Sequence, residues 1–175
     1  MVLELQFVRN TYTQVLAHEM KKVLRMVRQY PENRFDERHD ACGHTARELA
    51  ELSVEHLRRI ESIASDEPEA FGSSGPRPRG AILLDLETSF LRARSSLASL
   101  PRGCWSEVIA APPGLASWTQ ARRGELLWLA LREMAHHHRH FANHVKLGCQ
   151  VGPHDDGGRR VNAPGLPIDP VAVGA

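Results

Sequence analysis

Apolar residues recur at steps of three and four in four segments of the chain, a spacing that places side chains on one face of an α-helix. The first segment has its last apolar position at Val27, and Pro31 ends it because proline lacks the amide donor that a helix interior needs. The third segment stops at Pro101, and its apolar positions are Leu83, Leu86, Phe90, Ala93, Leu97 and Leu100. No segment alternates convincingly as a strand would, so the pattern predicts an all-α protein.

The second and fourth segments carry signals for where their helices begin. Thr45 and Glu48 form a T-x-x-E capping box, in which the two side chains satisfy two free backbone donors, and this predicts a helix start. The inward stripe of the second helix is Leu49, Leu52, His56, Ile60 and Ile63. The fourth helix is expected to be capped at Ser117 or Thr119 and to run to about Leu147.

Loop lengths constrain how these helices are arranged. Residues 66–80 contain three prolines and three glycines, which marks a linker. When extended it spans about 50 Å, more than the roughly 30 Å of a 20-residue helix, so it is long enough to cross the bundle and let helices two and three run parallel. We predict a four-helix bundle over residues 1–148 in up-down-down-up order, followed by a flexible Pro/Gly-rich tail over 149–175.

The composition of the chain indicates which kinds of binding partner and which cellular compartment to expect. The 22 basic and 21 acidic residues give a net charge of +1, without the basic excess that nucleic-acid binding needs, so no nucleic-acid partner is expected. No apolar run approaches the roughly 20 residues of a membrane span, so no membrane partner is expected either. The three cysteines are far apart and form no CxxC pair, which excludes a disulfide framework and predicts a cytoplasmic protein.

Histidine is the unusual residue type, with ten in the chain and five between 136 and 144. Glu133 and His137 are four residues apart, so their side chains project from one face of the fourth helix at neighbouring heights. His56 lies in the apolar stripe of the second helix and is expected to point inward. Two ligands one turn apart and a third on a facing helix build a metal site with an open coordination position.

Other interpretations of these residues stay open at this point. His56 fits equally well as a hydrogen-bonded histidine of the core, and the histidine cluster as a solvent-exposed helix face. Glu133 is also a natural ion-pair partner within the helix. A shifted register would make His136 and His140 the ligands, but these residues lie further from the apolar side and rank second.

Two segments resemble one known family. The run from Leu126 to Pro153, LLWLALREMAHHHRHFANHVKLGCQVGP, resembles the final helix of DinB/YfiT-like proteins, and Glu55–Glu61 is similar to that family's H-L-x-x-x-E pattern. This resemblance carries the family's metal ligands onto His56, Glu133 and His137. The chain departs from the pattern at Glu133, where the family usually has histidine. This difference adds a negative charge and makes the ligand set harder, in the sense of hard and soft metal ligands, than three histidines would be.

The resemblance implies a divalent-metal-binding bundle, commonly a homodimer, that uses zinc, nickel or manganese. Activities assigned in the family include low-molecular-weight-thiol S-transferases, a thiol-dependent isomerase and hydrolases, so it implies an enzyme acting on a small molecule. The metal would activate water or a thiol, and His140 would orient a ligand or shuttle a proton. The competing hypothesis is a non-catalytic DinB-like bundle, a stress-associated structural or binding dimer with a decayed metal site.

Overall fold

The protein is largely helical, as the sequence predicts. The computed structural model describes residues 2–38, 43–65, 77–112, 115 and 119–150, with the side chains of 2–6 and 147–150 left out. Within these ranges the four α-helices are α1 (Val2–Gln29), α2 (Ala46–Ser65), α3 (Arg79–Ser99) and α4 (Arg123–Gln150). α4 continues two residues beyond the predicted boundary at 148, and the remaining predicted tail, 151–175, lies outside the described residues.

α2 and α3 run in the same direction. Arg77, just before α3, contacts Glu51 near the start of α2 at 3.5 Å. Further along both helices, Arg58 of α2 contacts Asp85 of α3 at 3.8 Å. Because the contacts advance together along both helices, the helices are parallel, as the length of the linker between them predicts.

α4 runs against α2 and alongside α1. The end of α2 meets the start of α4, where Arg123 reaches the carbonyl of Ile63. The hydroxyl of Tyr12 in α1 donates to the carbonyl of Leu127 at 3.0 Å, and Tyr30, just after α1, packs against Phe141 further along α4. With α1 also antiparallel to α3, the order is up-down-down-up and the predicted topology is confirmed.

The predicted capping box forms at the start of α2. The amide of Glu48 donates to Oγ1 of Thr45 at 3.1 Å, and the amide of Thr45 donates to the Glu48 carboxylate at 2.8 Å. Both backbone donors have no partner inside the helix, so the two side chains satisfy them reciprocally.

Substituting Thr45→Ala is expected to lower the free energy of unfolding by about 1 kcal/mol, because the Glu48 amide loses its acceptor. Urea unfolding followed by circular dichroism measures this. The matched control is Thr88→Ala at an exposed position within α3, where alanine is the better helix former and no loss of stability is expected. Equal losses in the two variants would contradict the role assigned to the cap.

The apolar face of α3 is rotated slightly from the predicted stripe. Leu86, Ala93, Leu97 and Leu100 are buried as expected. Leu83 and Phe90, by contrast, are only partly buried and lie at the margin of the core. The buried face also includes Ile82 and Ser89, because α3 packs against both α2 and α1 rather than along one seam.

The long connection between α3 and α4 contains a feature that the sequence analysis missed. Val108–Ala110 (β1) pairs antiparallel with Gln120–Arg122 (β2), with Ile109 opposite Ala121. The expectation of no strand is therefore wrong, as is the prediction of a helix cap at Ser117 or Thr119: residues 120–122 pair with β1, so α4 begins only at Arg123. Strands of three residues are too short for alternation to be recognised.

Arg123 fixes the start of α4 against its neighbours. Its guanidinium is buried and donates to the carbonyl of Ile63 at 2.6 Å, which satisfies an acceptor at the C-terminal end of α2. It also pairs with Glu107, beside β1, at 3.1 Å. One side chain thus joins α2, α4 and the hairpin, and it sets the position of α4 relative to α2.

Candidate metal centre

An open cleft of about 710 Å³ lies between α2 and α4. We call it the α2–α4 cleft. The side chains that line it are mostly charged or imidazole groups: Leu52, Glu55, His56, Arg59, Arg132, Glu133, Ala135, His136, His137 and Arg139. All three residues predicted as metal ligands therefore border a single cleft.

Two of the predicted ligands are in direct contact. Nε2 of His56 lies 2.8 Å from Nδ1 of His137, and the two rings stack with centroids 4.9 Å apart. His56 is buried because it lies in the apolar stripe of α2, as predicted, whereas His137 is partly exposed at the cleft wall. The antiparallel packing of α2 and α4 brings the two imidazoles together.

Burial keeps both imidazoles neutral. It lowers the pKa of His56 to about 3, with smaller electrostatic contributions from the adjacent His137 and Arg59 that further disfavour a proton on His56. The pKa of His137 is also lowered, first by burial and then by His136 and His140. Neutral imidazoles keep a lone pair on one ring nitrogen, which is the form that binds a metal ion.

Glu133 lines the same cleft but faces a different partner. Its carboxylate lies 3.7 Å from the guanidinium of Arg59, which is one turn beyond His56 on α2. This ion pair is longer than a hydrogen bond, and about a third of the Glu133 side chain is exposed. The structure therefore joins His56 to His137 directly, whereas the Glu133 carboxylate is directed to Arg59.

The donor set fits a divalent metal in part. Two nitrogens that bind one tetrahedral metal at about 2.1 Å are themselves about 3.4 Å apart, so the His56 and His137 nitrogens, at 2.8 Å, would have to separate by about half an ångström to bind it together. Within the described ranges, no group of three or more His, Cys, Asp or Glu side chains is arranged to hold a metal ion. Nδ1 of His56 is buried and has no hydrogen-bond partner there.

His136 and His140 form a separate pair at the surface. Their Nε2 atoms are 3.0 Å apart and the ring centroids 4.6 Å apart. His136 lines the cleft, but His140 does not. The structure thus places His140, the predicted proton shuttle, beside His136 rather than at the His56–His137 contact.

A buried carboxylate–imidazole pair on the other side of α4 escaped the sequence analysis. Nδ1 of His138 donates to Oε2 of Glu19 at 3.0 Å, and both side chains are buried. The hydrogen bond from His138, followed by that from Lys22, lowers the pKa of Glu19 to about 2. Both residues lie on apolar stripes of their helices, so a glutamate beside Leu16 and Met20 was the signal that could have revealed the pair.

Comparison with known proteins identifies the fold. No protein-family model matches the sequence, and no curated protein matches it. The solved structure of a DinB-like protein, YjoA, from Bacillus subtilis is similar, with a TM-score of 0.61 and 12% sequence identity, over 79% of this chain and 93% of that one. None of the described helices is long and apolar enough to cross a membrane. In its architecture, the chain has the fold of DinB-like proteins.

Proposed function

We propose that the α2–α4 cleft binds a divalent metal ion and that the protein is a metal-dependent enzyme of the DinB/YfiT type acting on a small molecule, as a hydrolase or a low-molecular-weight-thiol S-transferase. The observation that carries the proposal is the pair of neutral imidazole nitrogens of His56 and His137, 2.8 Å apart in an open cleft. The proposal also rests on the DinB-like fold.

His56 and His137 are the residues that hold the metal. Their lowered pKa values keep both rings neutral at neutral pH, so neither has to lose the proton of an imidazolium. The N–H that is shared in the 2.8 Å contact would have to move to the other nitrogen of its ring before both contacting nitrogens could bind one metal. A divalent ion among zinc, nickel and manganese supplies Lewis acidity and lowers the pKa of water or a thiol.

Glu133 is the third ligand in this proposal. It lies one turn before His137 on α4, and its partly exposed carboxylate would have to turn away from Arg59 to hold the metal. Arg59 is then left at the cleft wall, where its guanidinium attracts an anionic substrate group.

Proton transfer is proposed for the surface imidazoles. His136 is exposed, lines the cleft and contacts His140, which is partly buried and lies outside the cleft lining. In this arrangement His136 exchanges protons between solvent and the cleft, and His140 shares the proton through the contact between the two Nε2 atoms.

Elemental analysis of protein purified without nickel resin tests the proposal. About one equivalent of metal per chain is expected in the wild type. Because His137 is a direct ligand, His137→Ala should lower the metal affinity at least about a hundredfold. It should also abolish ester hydrolysis or thiol conjugation to an electrophile, while the helical circular-dichroism signal stays unchanged.

Matched variants identify the ligands. His136→Ala removes an imidazole from the same cleft and is expected to leave the metal content unchanged, whereas Glu133→Gln should weaken binding if Glu133 completes the site. Unchanged metal content in His137→Ala would contradict the proposal. A wild-type protein that takes up no metal would contradict it too, and would leave a DinB-like bundle with a structural or binding role.

A further inference from the structure

A second cleft lies between α4 and α1, and Ala135 and Arg139 border both this cleft and the α2–α4 cleft. This α1–α4 cleft has a volume of about 320 Å³, within the range of small-molecule sites. Its floor includes Met26 of α1 and Ala142 of α4, so part of the lining is apolar. The predicted metal ligands His56, Glu133 and His137 do not line it.

Cations dominate the rim of this cleft. Lys22, Arg25 and Arg139 line it, and the acidic residue in the lining is Glu19. Both oxygens of Glu19 are already engaged, Oε1 by Lys22 at 2.7 Å and Oε2 by His138 at 3.0 Å. Neither a hydrogen bond nor an ion pair connects Arg25 or Arg139 to another described residue. Two guanidinium groups are therefore uncompensated beside an apolar floor.

The lining also contains a buried polar atom without a partner. His138 is 3% exposed, and its Nδ1 is used by Glu19. Its Nε2 is buried and has no hydrogen-bond partner among the described residues. Because Nδ1 donates its proton to Glu19, Nε2 of a neutral ring accepts a hydrogen bond, so ordered water in the cleft, rather than a carboxylate, would be its partner.

We propose that the α1–α4 cleft is a binding site for a small aliphatic carboxylate that does not use His56, Glu133 or His137, although Arg139 borders both clefts. Arg25 and Arg139 pair with the carboxylate, because guanidinium groups form charge-assisted and often bidentate bonds to it. The aliphatic chain lies on the apolar floor near Met26 and Ala142. Two free cations and a small apolar floor match a monocarboxylate better than a polyanion.

Isothermal titration calorimetry with hexanoate tests this site in the full-length protein. Saturable binding is expected, weakening as the salt concentration rises. Hexanol, which has the same chain without the charge, should bind at least about tenfold more weakly. Arg25→Gln should also weaken hexanoate binding about tenfold, and the double variant Arg25→Gln/Arg139→Gln should abolish measurable binding.

Two controls locate the site. Arg92→Gln removes an exposed cation of α3 that lines neither cleft and should leave the affinity within about twofold of wild type. His137→Ala should also retain hexanoate binding, which separates this site from the candidate metal centre. The proposal would be overturned if the wild type did not bind hexanoate or bound hexanol equally well. An unchanged affinity for hexanoate in Arg25→Gln, or loss of hexanoate binding in His137→Ala, would overturn it too.

Discussion

Replacing Glu19 with leucine is expected to lower the free energy of unfolding by about 3–5 kcal/mol at neutral pH. The substitution leaves the buried imidazole of His138 without an acceptor for its Nδ1 proton, since the 3.0 Å bond to Glu19 is lost. Urea unfolding measured by circular dichroism gives the value. The double variant Glu19→Leu/His138→Phe should recover much of the loss, because an apolar pair of similar size replaces a buried polar pair.

The pH dependence of stability provides a second readout for the same pair. Glu19 has a pKa of about 2 in the folded protein against an ordinary value of 4.5, so its contribution is fully present above about pH 4.5. The contribution is lost as the pH falls towards about 2, and it amounts to roughly 3 kcal/mol. Glu19→Leu should lack this part of the acid sensitivity.

Glu87 provides the matched control, since it forms an ion pair with Arg28 at 2.7 Å on the exposed surface. Glu87→Leu is expected to cost no more than about 1 kcal/mol, because solvent screens exposed pairs. If the Glu19 and Glu87 variants lose the same stability, the buried pair does not have the role assigned to it.

The second large effect is expected for Arg123→Met, which should lower the free energy of unfolding by about 2–4 kcal/mol. Methionine keeps much of the aliphatic stem but leaves the carbonyl of Ile63 without its 2.6 Å donor and Glu107 without its partner. Since Arg123 joins the start of α4 to the end of α2, the substitution should also loosen the contact between His56 and His137. NMR chemical shifts of the two imidazoles measure this.

The neighbouring Arg122→Met is the control, because that side chain is exposed and the same chemical change is made one position away. The free energy of unfolding of Arg122→Met should stay within about 0.5 kcal/mol of the wild-type value. A similar loss of stability in both variants would mean that the hydrogen bonds of the buried Arg123 guanidinium contribute little to the free energy of unfolding.

The parts of the fold that were predictable depend on local signals. The capping box at Thr45 and Glu48 marks the start of α2 to the residue, because reciprocal capping is decided by side chains three positions apart. The parallel arrangement of α2 and α3 followed from the length of the linker. His56 was correctly expected to be buried, because it interrupts a regular apolar stripe.

The parts that were missed depend on contacts between distant segments. β1 and β2 are three residues each and are defined by pairing with one another, which no local pattern encodes. The Glu19–His138 pair joins α1 to α4, and the orientation of Glu133 towards Arg59 depends on how α2 packs against α4. Polar residues on apolar stripes reveal that a partner is needed, but the stripe alone does not identify it.

Other expectations remain predictions. The metal and its identity, the small-molecule or thiol substrate, the homodimer and the cytoplasmic location stay predictions. The packing of α2 against α4 indicates where a metal would bind, because the two candidate nitrogen ligands already lie in contact.

His56 and His137 are separated by 81 residues, and Glu19 and His138 by 119. Neither pair exists in any isolated hairpin of helices, so both must appear during the docking of α4 onto the other three helices. The entropic cost of closing such long loops grows only slowly with their length, but no local contact stabilises these pairs beforehand. Because α4 borders both clefts, neither cleft can be complete during synthesis on the ribosome until α4 has emerged and packed against α1 and α2.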